Sequence, residues 1–499
     1  MTSQNMFAPY AVHVTDGMVK YRRRGDFFQT RDESCPVGWD LIEIEVARNE
    51  HEPFQVVIQA SEKELKDVEI DVSVFRGIKG GTLDASKITA YLVQYIYVPP
   101  SDAWYPDALL PSQKFDLPVG ETQSVWFDIM VDTSVEPDVY EGKVTVCPSG
   151  LPEQVVTIRL KVHQFALPNA APTRTAFGLE AGKLSQWYDV APETPEFEAL
   201  YGRYYWFLVD HLITPQYLPS PTDPECLDRY LKDPRVSGVC IPYSADPVVL
   251  ERNIRMYRDH GWLDRGFLYP VDEPFQRDEY DRFLDSARMI HDIEPKAKIM
   301  CPYYKNPVFA PETTAIEHLI GTVDIWCALT SYFHEDALAE RKAAGDEIWW
   351  YTCCVPLEPY PNFQIQMPPL DHRILFWLQR YYGVQGFLYW SVNTWTDTPY
   401  TTLPAMWLDS RQCDSYSDGL LLYPGSDGPV SSIRLELIRE GLEDMHYFNL
   451  MENFMGRDEV HRFLRQAVGG PTCYERDSRR LMSLRSQLAQ RINDFEEST

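Results

Sequence analysis

The sequence predicts a multidomain protein of mixed α/β and all-β class. An N-terminal antiparallel β-sandwich is expected over 1–168, a central (β/α)8 TIM-like barrel over 169–410, and a mostly helical C-terminal cap over 411–499. Three observations predict it. Before Pro168 the apolar residues alternate with period two, after it strand-like runs alternate with amphipathic helices, and near the end they recur at helical spacing. A chain of 499 residues also exceeds what one hydrophobic core organises.

The N-terminal strands are read at 54–60, 68–74, 122–129, 143–146 and 155–162, where side chains alternate between apolar and polar. Turn chemistry such as Lys79-Gly80-Gly81 and Pro118-Val119-Gly120 separates them, and no helical pattern interrupts. The barrel strands are expected at 175–179, 213–218, 238–242, 266–271, 298–303, 324–330, 347–353 and 386–390. Helices at 248–260 and 279–290 lie between them, the second with Tyr280, Phe283, Leu284, Ala287 and Ile290 on one face. Residues 219–234 read as loop, which weakens the second and third strands and predicts a distorted ring. In the last segment Ile433, Leu437, Gly441, Leu442, Met445 and Phe448 form one stripe. Leu481, Leu484, Leu488 and Ile492 form another, with Gly469-Gly470-Pro471 breaking the chain between them.

Composition narrows the function classes. The net charge of −28, from 74 acidic against 46 basic residues, repels phosphate backbones and anionic lipid surfaces. Nucleic acid and membrane partners are therefore not expected. No apolar run is long enough to cross a bilayer, and the start lacks the apolar core of a secretory signal, so a cytoplasmic location is expected. The ten cysteines show no metal-site spacing, and the vicinal Cys353-Cys354 sits in strand-like surroundings that suit buried thiols. No metal and no cofactor is predicted. The 13 Trp and 30 Tyr suit both packed cores and sugar stacking.

Barrel enzymes place their chemistry at the C-terminal ends of strands. Here the fourth strand runs into Asp272-Glu273-Pro274, two carboxylates side by side. Other strand ends contribute Tyr303, Tyr332, Trp350, Tyr351, Trp390, Asn393 and Trp395, which are read as substrate-binding candidates. An acid, a second carboxyl and stacking platforms are the inventory of a glycosidase, with an oligosaccharide or glycoconjugate as partner. Asp-Glu-Pro also suits a helix start, since Asp caps helices and Pro favours their first position. Packing alone would equally account for the tyrosines. Adjacency in sequence hints at mechanism, because neighbours at a turn reach one pocket without flanking the sugar. That suits a reaction whose nucleophile is the substrate's own 2-acetamido oxygen. Asp272 would then steady the acetamido group and the oxazolinium charge, while Glu273 exchanges the proton.

These residues resemble glycoside hydrolase family 123, bacterial β-N-acetylgalactosaminidases, and their relatives. The likeness spans about 40–455. It is carried by 50–58, Trp104-Tyr-Pro-Asp-Ala-Leu-Leu-Pro111, Val271-Asp-Glu-Pro274, Trp350-Tyr-Thr-Cys-Cys354, Gly386-Phe-Leu-Tyr-Trp390 with Asn393 and Trp395, Asp418-Gly-Leu-Leu-Leu-Tyr-Pro-Gly425, and 433–444. The resemblance implies a sandwich plus barrel, retention of configuration, and substrate-assisted catalysis by Asp272 and Glu273. It also implies a tyrosine that positions the acetamido group, for which Tyr303 and Tyr332 both qualify. Two other readings stand beside it. One is a glycosidase for another sugar with an enzyme nucleophile, Glu180 or Asp397. The other is a glycan-binding protein without turnover. The sequence leaves the oligomeric state open, a homo-oligomer included.

Overall fold

The computed structural model describes residues 9–24, 40–304, 315–402 and 416–498. The first part is built from two sheets. One has the order β1-β3-β10-β7-β8, from strands β1 (Ala11–Asp16), β3 (Glu50–Gln59), β7 (Ile88–Val98), β8 (Ala103–Pro111) and β10 (Thr122–Val131). The other has the order β2-β12-β11-β4-β9, from β2 (Leu41–Arg48), β4 (Leu65–Val72), β9 (Phe115–Leu117), β11 (Val139–Cys147) and β12 (Gln154–Ala166). Short strands β5 (Phe75–Gly77) and β6 (Thr82–Leu83) extend from β11. Alternation dictates which side chains meet. Phe54, Val56, Ile58, Val125, Phe127 and Ile129 of the first sheet share one core with Ile44, Val46, Val144, Val156, Ile158 and Leu160 of the second. One pairing departs from the expected antiparallel pattern: β2 runs parallel to β12, with Leu41 opposite Thr157 and Val46 opposite Val162.

The second part is parallel. Strands β13 (Arg174–Phe177), β16 (Met300–Tyr303), β17 (Ile325–Leu329), β18 (Glu347–Tyr351) and β19 (Gly386–Tyr389) pair in the order β13-β19-β18-β17-β16. Parallel bridges carry the pairing onward. Leu268 meets Ile299 beside β15 (Gly266–Phe267), β15 pairs with β14 (Val239–Cys240), and the Cys240 amide reaches the Gln216 carbonyl at 2.8 Å. Pro215 bridges back to Phe177 of β13, so the circuit of pairings returns to its start. Met300, Ile325, Cys327, Leu329, Trp349, Tyr351 and Leu388 fill its interior. At its N-terminal end Glu347 accepts from Arg174 at 2.9 Å and from Lys298 at 2.6 Å, which closes that end with paired charge.

Helices follow the strands: α1 (Ala181–Tyr188), α2 (Pro195–Asp210), α3 (Pro224–Leu231), α4 (Pro247–Asp259), α5 (Arg277–Ile293), α6 (Ala315–Leu319), α7 (Glu335–Ala343) and α8 (Pro369–Tyr382). Helix α3 occupies the stretch expected to be loop. Asp223 caps it, Pro224 opens it, and Cys226, Leu227, Tyr230 and Leu231 are buried, so Pro224 marks a helix start. The expected strand at 213–218 is irregular chain, tied to β13 by an isolated bridge from Pro215 to Phe177.

Helix α9 (Ile433–Met455) is not a surface cap. It is buried around most of its circumference and packs against α8, β8 and β3, with α10 (Arg457–Leu464) and α11 (Ser478–Ser498) outside it. Its charged side chains are therefore paired. The Arg434 guanidinium holds both Asp107 oxygens at 2.9 and 2.7 Å, and Arg439 reaches Asp128 at 2.7 Å. Asp444 accepts from Arg373 at 2.7 and 2.8 Å and from Arg485 at 3.0 Å. These ion pairs join the N-terminal sheets, α8 and the C-terminal helices in one buried network.

Candidate active site

The parallel strands bring their C-terminal ends to one mouth, and Asp272 and Glu273 stand there beyond β15. The turn that presents them is not a helix cap. Helix α5 starts four residues later at Arg277, and its start is satisfied by Glu279, which accepts from the Phe275 and Gln276 amides at 2.8 Å each. Glu273 itself has φ of 40°, a left-handed conformation that costs a β-carbon-bearing residue roughly 1 kcal/mol and is found where a side chain must be aimed.

Glu273 is half-buried, makes no ion pair among the described residues, and accepts a hydrogen bond from the Tyr351 hydroxyl. Burial pushes its carboxyl up to about 7, helped by the charges of Asp272 and Asp418 and opposed by the Tyr351 donor. Asp272 is more exposed and accepts from the Tyr269 hydroxyl at 2.5 Å. A carboxyl whose affinity for its proton is raised by burial, next to a second, exposed carboxyl, is an arrangement that can serve acid–base chemistry.

Asp418, Tyr269 and Tyr304 join the site although none was among the expected site residues, Asp418 being known only as the start of one of the motifs that carry the family likeness. Asp418 is buried and accepts from the Tyr389 hydroxyl at 3.2 Å. Burial pushes its carboxyl up to about 6, against the Trp390 and Tyr389 side chains, which lower it. The following Gly419 has φ of 74°, and a Cβ there would come within 2.4 Å of the Trp390 ring, so only glycine fits. Tyr304 stacks on Phe275 at 5.6 Å, interplanar angle 6°, and meets Tyr332 edge-on at 6.5 Å.

The expected binding residues separate into two groups. Tyr351, Tyr332 and Trp390 stand at the mouth with the acidic pair. Tyr303 and Trp350 point the other way. Tyr303 packs edge-on against Trp326 in the outer layer, and Trp350 lies against Phe333, Tyr382 and Phe387 beneath α8. Successive residues of a strand face opposite sides, and the inward positions here are Trp349, Tyr351, Met300 and, by the same parity, Tyr304. Asn393 and Trp395 form a third location. Asn393 is fully buried and clamps the backbone of Glu180, accepting from its amide at 2.7 Å and donating to its carbonyl at 3.1 Å. Trp395 is 5% exposed and donates to the Leu422 carbonyl at 2.8 Å. Both shape the loop after β13.

Among the described residues no cluster of histidine, cysteine, aspartate or glutamate is arranged to hold a metal ion. No helix among them is long and apolar enough to cross a membrane.

Two family models match the sequence: "Glycoside hydrolase 123 N-terminal domain" over 26–148, and "Glycoside hydrolase 123, catalytic domain" over 249–451. The second spans Asp272, Glu273, Asp418 and most of α9. Among solved structures, a family 123 glycoside hydrolase from Clostridium perfringens, studied for glycolipid glycan hydrolysis, superposes with a TM-score of 0.73 at 14% identity. That alignment covers 98% of this chain and 97% of that one. A GH2 β-galacturonidase from Eisenbergiella tayi gives a TM-score of 0.33 at 12% identity, over 88% and 73% of the two chains. None of the curated proteins compared matches the sequence. Two models that together account for well over half of the residues, and a like fold along nearly the whole length, lead to one assignment: the chain belongs to glycoside hydrolase family 123.

Proposed function

We propose that this glycoside hydrolase removes β-linked N-acetylgalactosamine from the end of a glycan, with retention of configuration, through an oxazolinium intermediate. The observation that carries the reading is the Glu273 carboxyl, held near pH 7 by burial and aimed by Tyr351, next to the exposed carboxylate of Asp272. In the first step the 2-acetamido carbonyl oxygen attacks the anomeric carbon. Glu273 gives its proton to the leaving oxygen, and Asp272 accepts the acetamido N–H bond and offsets the positive charge of the ring. In the second step Glu273 takes a proton from water as water opens the oxazolinium ion. Tyr332, which meets Tyr304 edge-on at the mouth, positions the acetamido group in this scheme, since Tyr303 packs in the outer layer.

The architecture proposed with it is a β-sandwich over 1–168 and a (β/α)8 barrel over 169–410, supported by the closed circuit of parallel pairings. A helical segment over 411–499 completes it, and the boundary at 410 lies outside the described residues. The described cysteines are free, and Cys226, Cys240, Cys301 and Cys327 are buried thiols, which suits a reducing compartment such as the cytoplasm. An aryl β-N-acetylgalactosaminide is the test substrate. Glu273→Gln is expected to cut kcat at least 10²-fold and Asp272→Asn by a comparable factor, about the range for losing acid–base or charge stabilisation. Absence of turnover on every 2-acetamido sugar would end the proposal.

A further inference from the structure

The loop after β13 carries an indole that neither packing nor the acidic pair accounts for. Trp187, in α1, is 39% exposed, although a tryptophan gains most from burial. It is held in place: its ring meets Trp395 edge-on at 5.8 Å, and Trp395 is fixed by its bond to Leu422. The Asn393 clamp on Glu180 fixes the start of α1 from the other side. Beside the free face of Trp187 lies a cavity of about 250 Å³, lined by Lys183, Gln186, Trp395, Thr396 and Asp397. Its size is that of a single ring rather than a chain. The half-buried Lys183 ammonium turns to the Trp395 carbonyl at 3.4 Å, which leaves donors for a ligand. A rigid aromatic face with an amide, an ammonium and a carboxylate around it binds a pyranose, apolar face on the ring and hydroxyls at the rim.

The position fits the same glycan. Trp187 and Trp395 follow β13 and β19, neighbours in the circuit, whereas Glu273 follows β15 on its far side, and all three open at the same end. We propose that Trp187, with Lys183, Gln186 and Asp397, is a second sugar-binding subsite that holds the part of the substrate beyond the bond cleaved. The substrate class is therefore an oligosaccharide of at least two sugars, not an isolated glycoside. This rests on the hydrolase reading above, and its test separates the two.

The experiment compares an aryl β-N-acetylgalactosaminide with a trisaccharide carrying β-linked N-acetylgalactosamine on lactose. Trp187→Ala is expected to leave kcat/KM on the aryl substrate within about twofold and to lower it on the trisaccharide about tenfold, through KM, with Trp187→Phe recovering most of the loss. Equal loss on both substrates, or none on the trisaccharide, overturns the subsite. Calorimetric binding of lactose, the released product, reads the subsite whether or not the glycoside is turned over. Weaker binding in Trp187→Ala than in the parent supports it, and no binding to the parent, or equal affinity, overturns it.

Discussion

The proton on Glu273 is retained by burial and by two neighbouring carboxylates, Asp272 and Asp418, against the Tyr351 hydroxyl, which favours the ionised form. Because the protonated acid starts the reaction, kcat/KM should fall as pH rises through about 7. The two neighbours shift that limb in opposite directions. Tyr351→Phe removes the donor that lowers the carboxyl, so the limb moves to higher pH. Asp418→Asn removes a charge that raises it, so the limb moves to lower pH. Profiles of both variants on an aryl glycoside check this, and shifts in the same direction would contradict it. The same carboxyl affects stability. Its folded-state value lies above the ordinary 4.5, so the folded chain holds the proton more tightly than the unfolded chain does. Stability contributed in this way is present at low pH and lost between about pH 4.5 and 7. Glu273→Gln should therefore gain stability relative to the parent as pH rises across that window, read by denaturant midpoints. At this scale the sequence was legible where chemistry is unusual. Asp272-Glu273-Pro274 at a strand end stands out, but Tyr303 could not be told from Tyr304, nor Trp350 from Trp349 or Tyr351. A strand buried on both faces shows no alternation, so nothing in it marks which residue points inward.

At the scale of elements, the residues that carry the family likeness outside the acidic pair largely build the interior. Asp107, within the motif 104–111, and Arg434, within 433–444, form a fully buried pair, and Tyr423 donates to one of the two Asp107 oxygens that Arg434 holds. Removing one partner leaves a charge buried without compensation, so Arg434→Met should cost about 3–5 kcal/mol in urea unfolding. Adding Asp107→Asn to it should restore part of that loss, because the stranded charge is gone. Gly419 belongs to the same motif class. Gly419→Ala meets both a positive φ and the Trp390 ring, and should lower activity by displacing Trp390 and Asp418 together. Strand and helix positions were readable wherever the apolar period was clear, as for α4, α5, α9 and α11. Helix α3 was hidden because Pro224 looks like loop until Asp223 is recognised as a cap. The parallel pairing of β2 with β12 was hidden because a strand's own pattern says nothing about its partner's direction.

For the whole molecule, α9 decides how the parts behave. Its stripe of apolar residues was visible in the sequence, and the charged positions between them are buried as well, as contacts with β3, β8 and α8. A helix that shares buried ion pairs with the N-terminal sheets, α8 and α11 couples their unfolding. Calorimetry should show one cooperative transition for the N-terminal sheets and the parallel ring, and two well-separated transitions would contradict that coupling.

The central claim is that the substrate's own amide is the nucleophile while Asp272 and Glu273 serve it. Its most direct measurement is kcat/KM for aryl β-N-acetylgalactosaminides whose N-acyl group carries zero, one, two or three fluorines. Each fluorine drains electron density from the attacking carbonyl oxygen and leaves the aryl leaving group unchanged. The account predicts a steep, progressive fall along the series. Rates that stay level would place the nucleophile on the protein and contradict it.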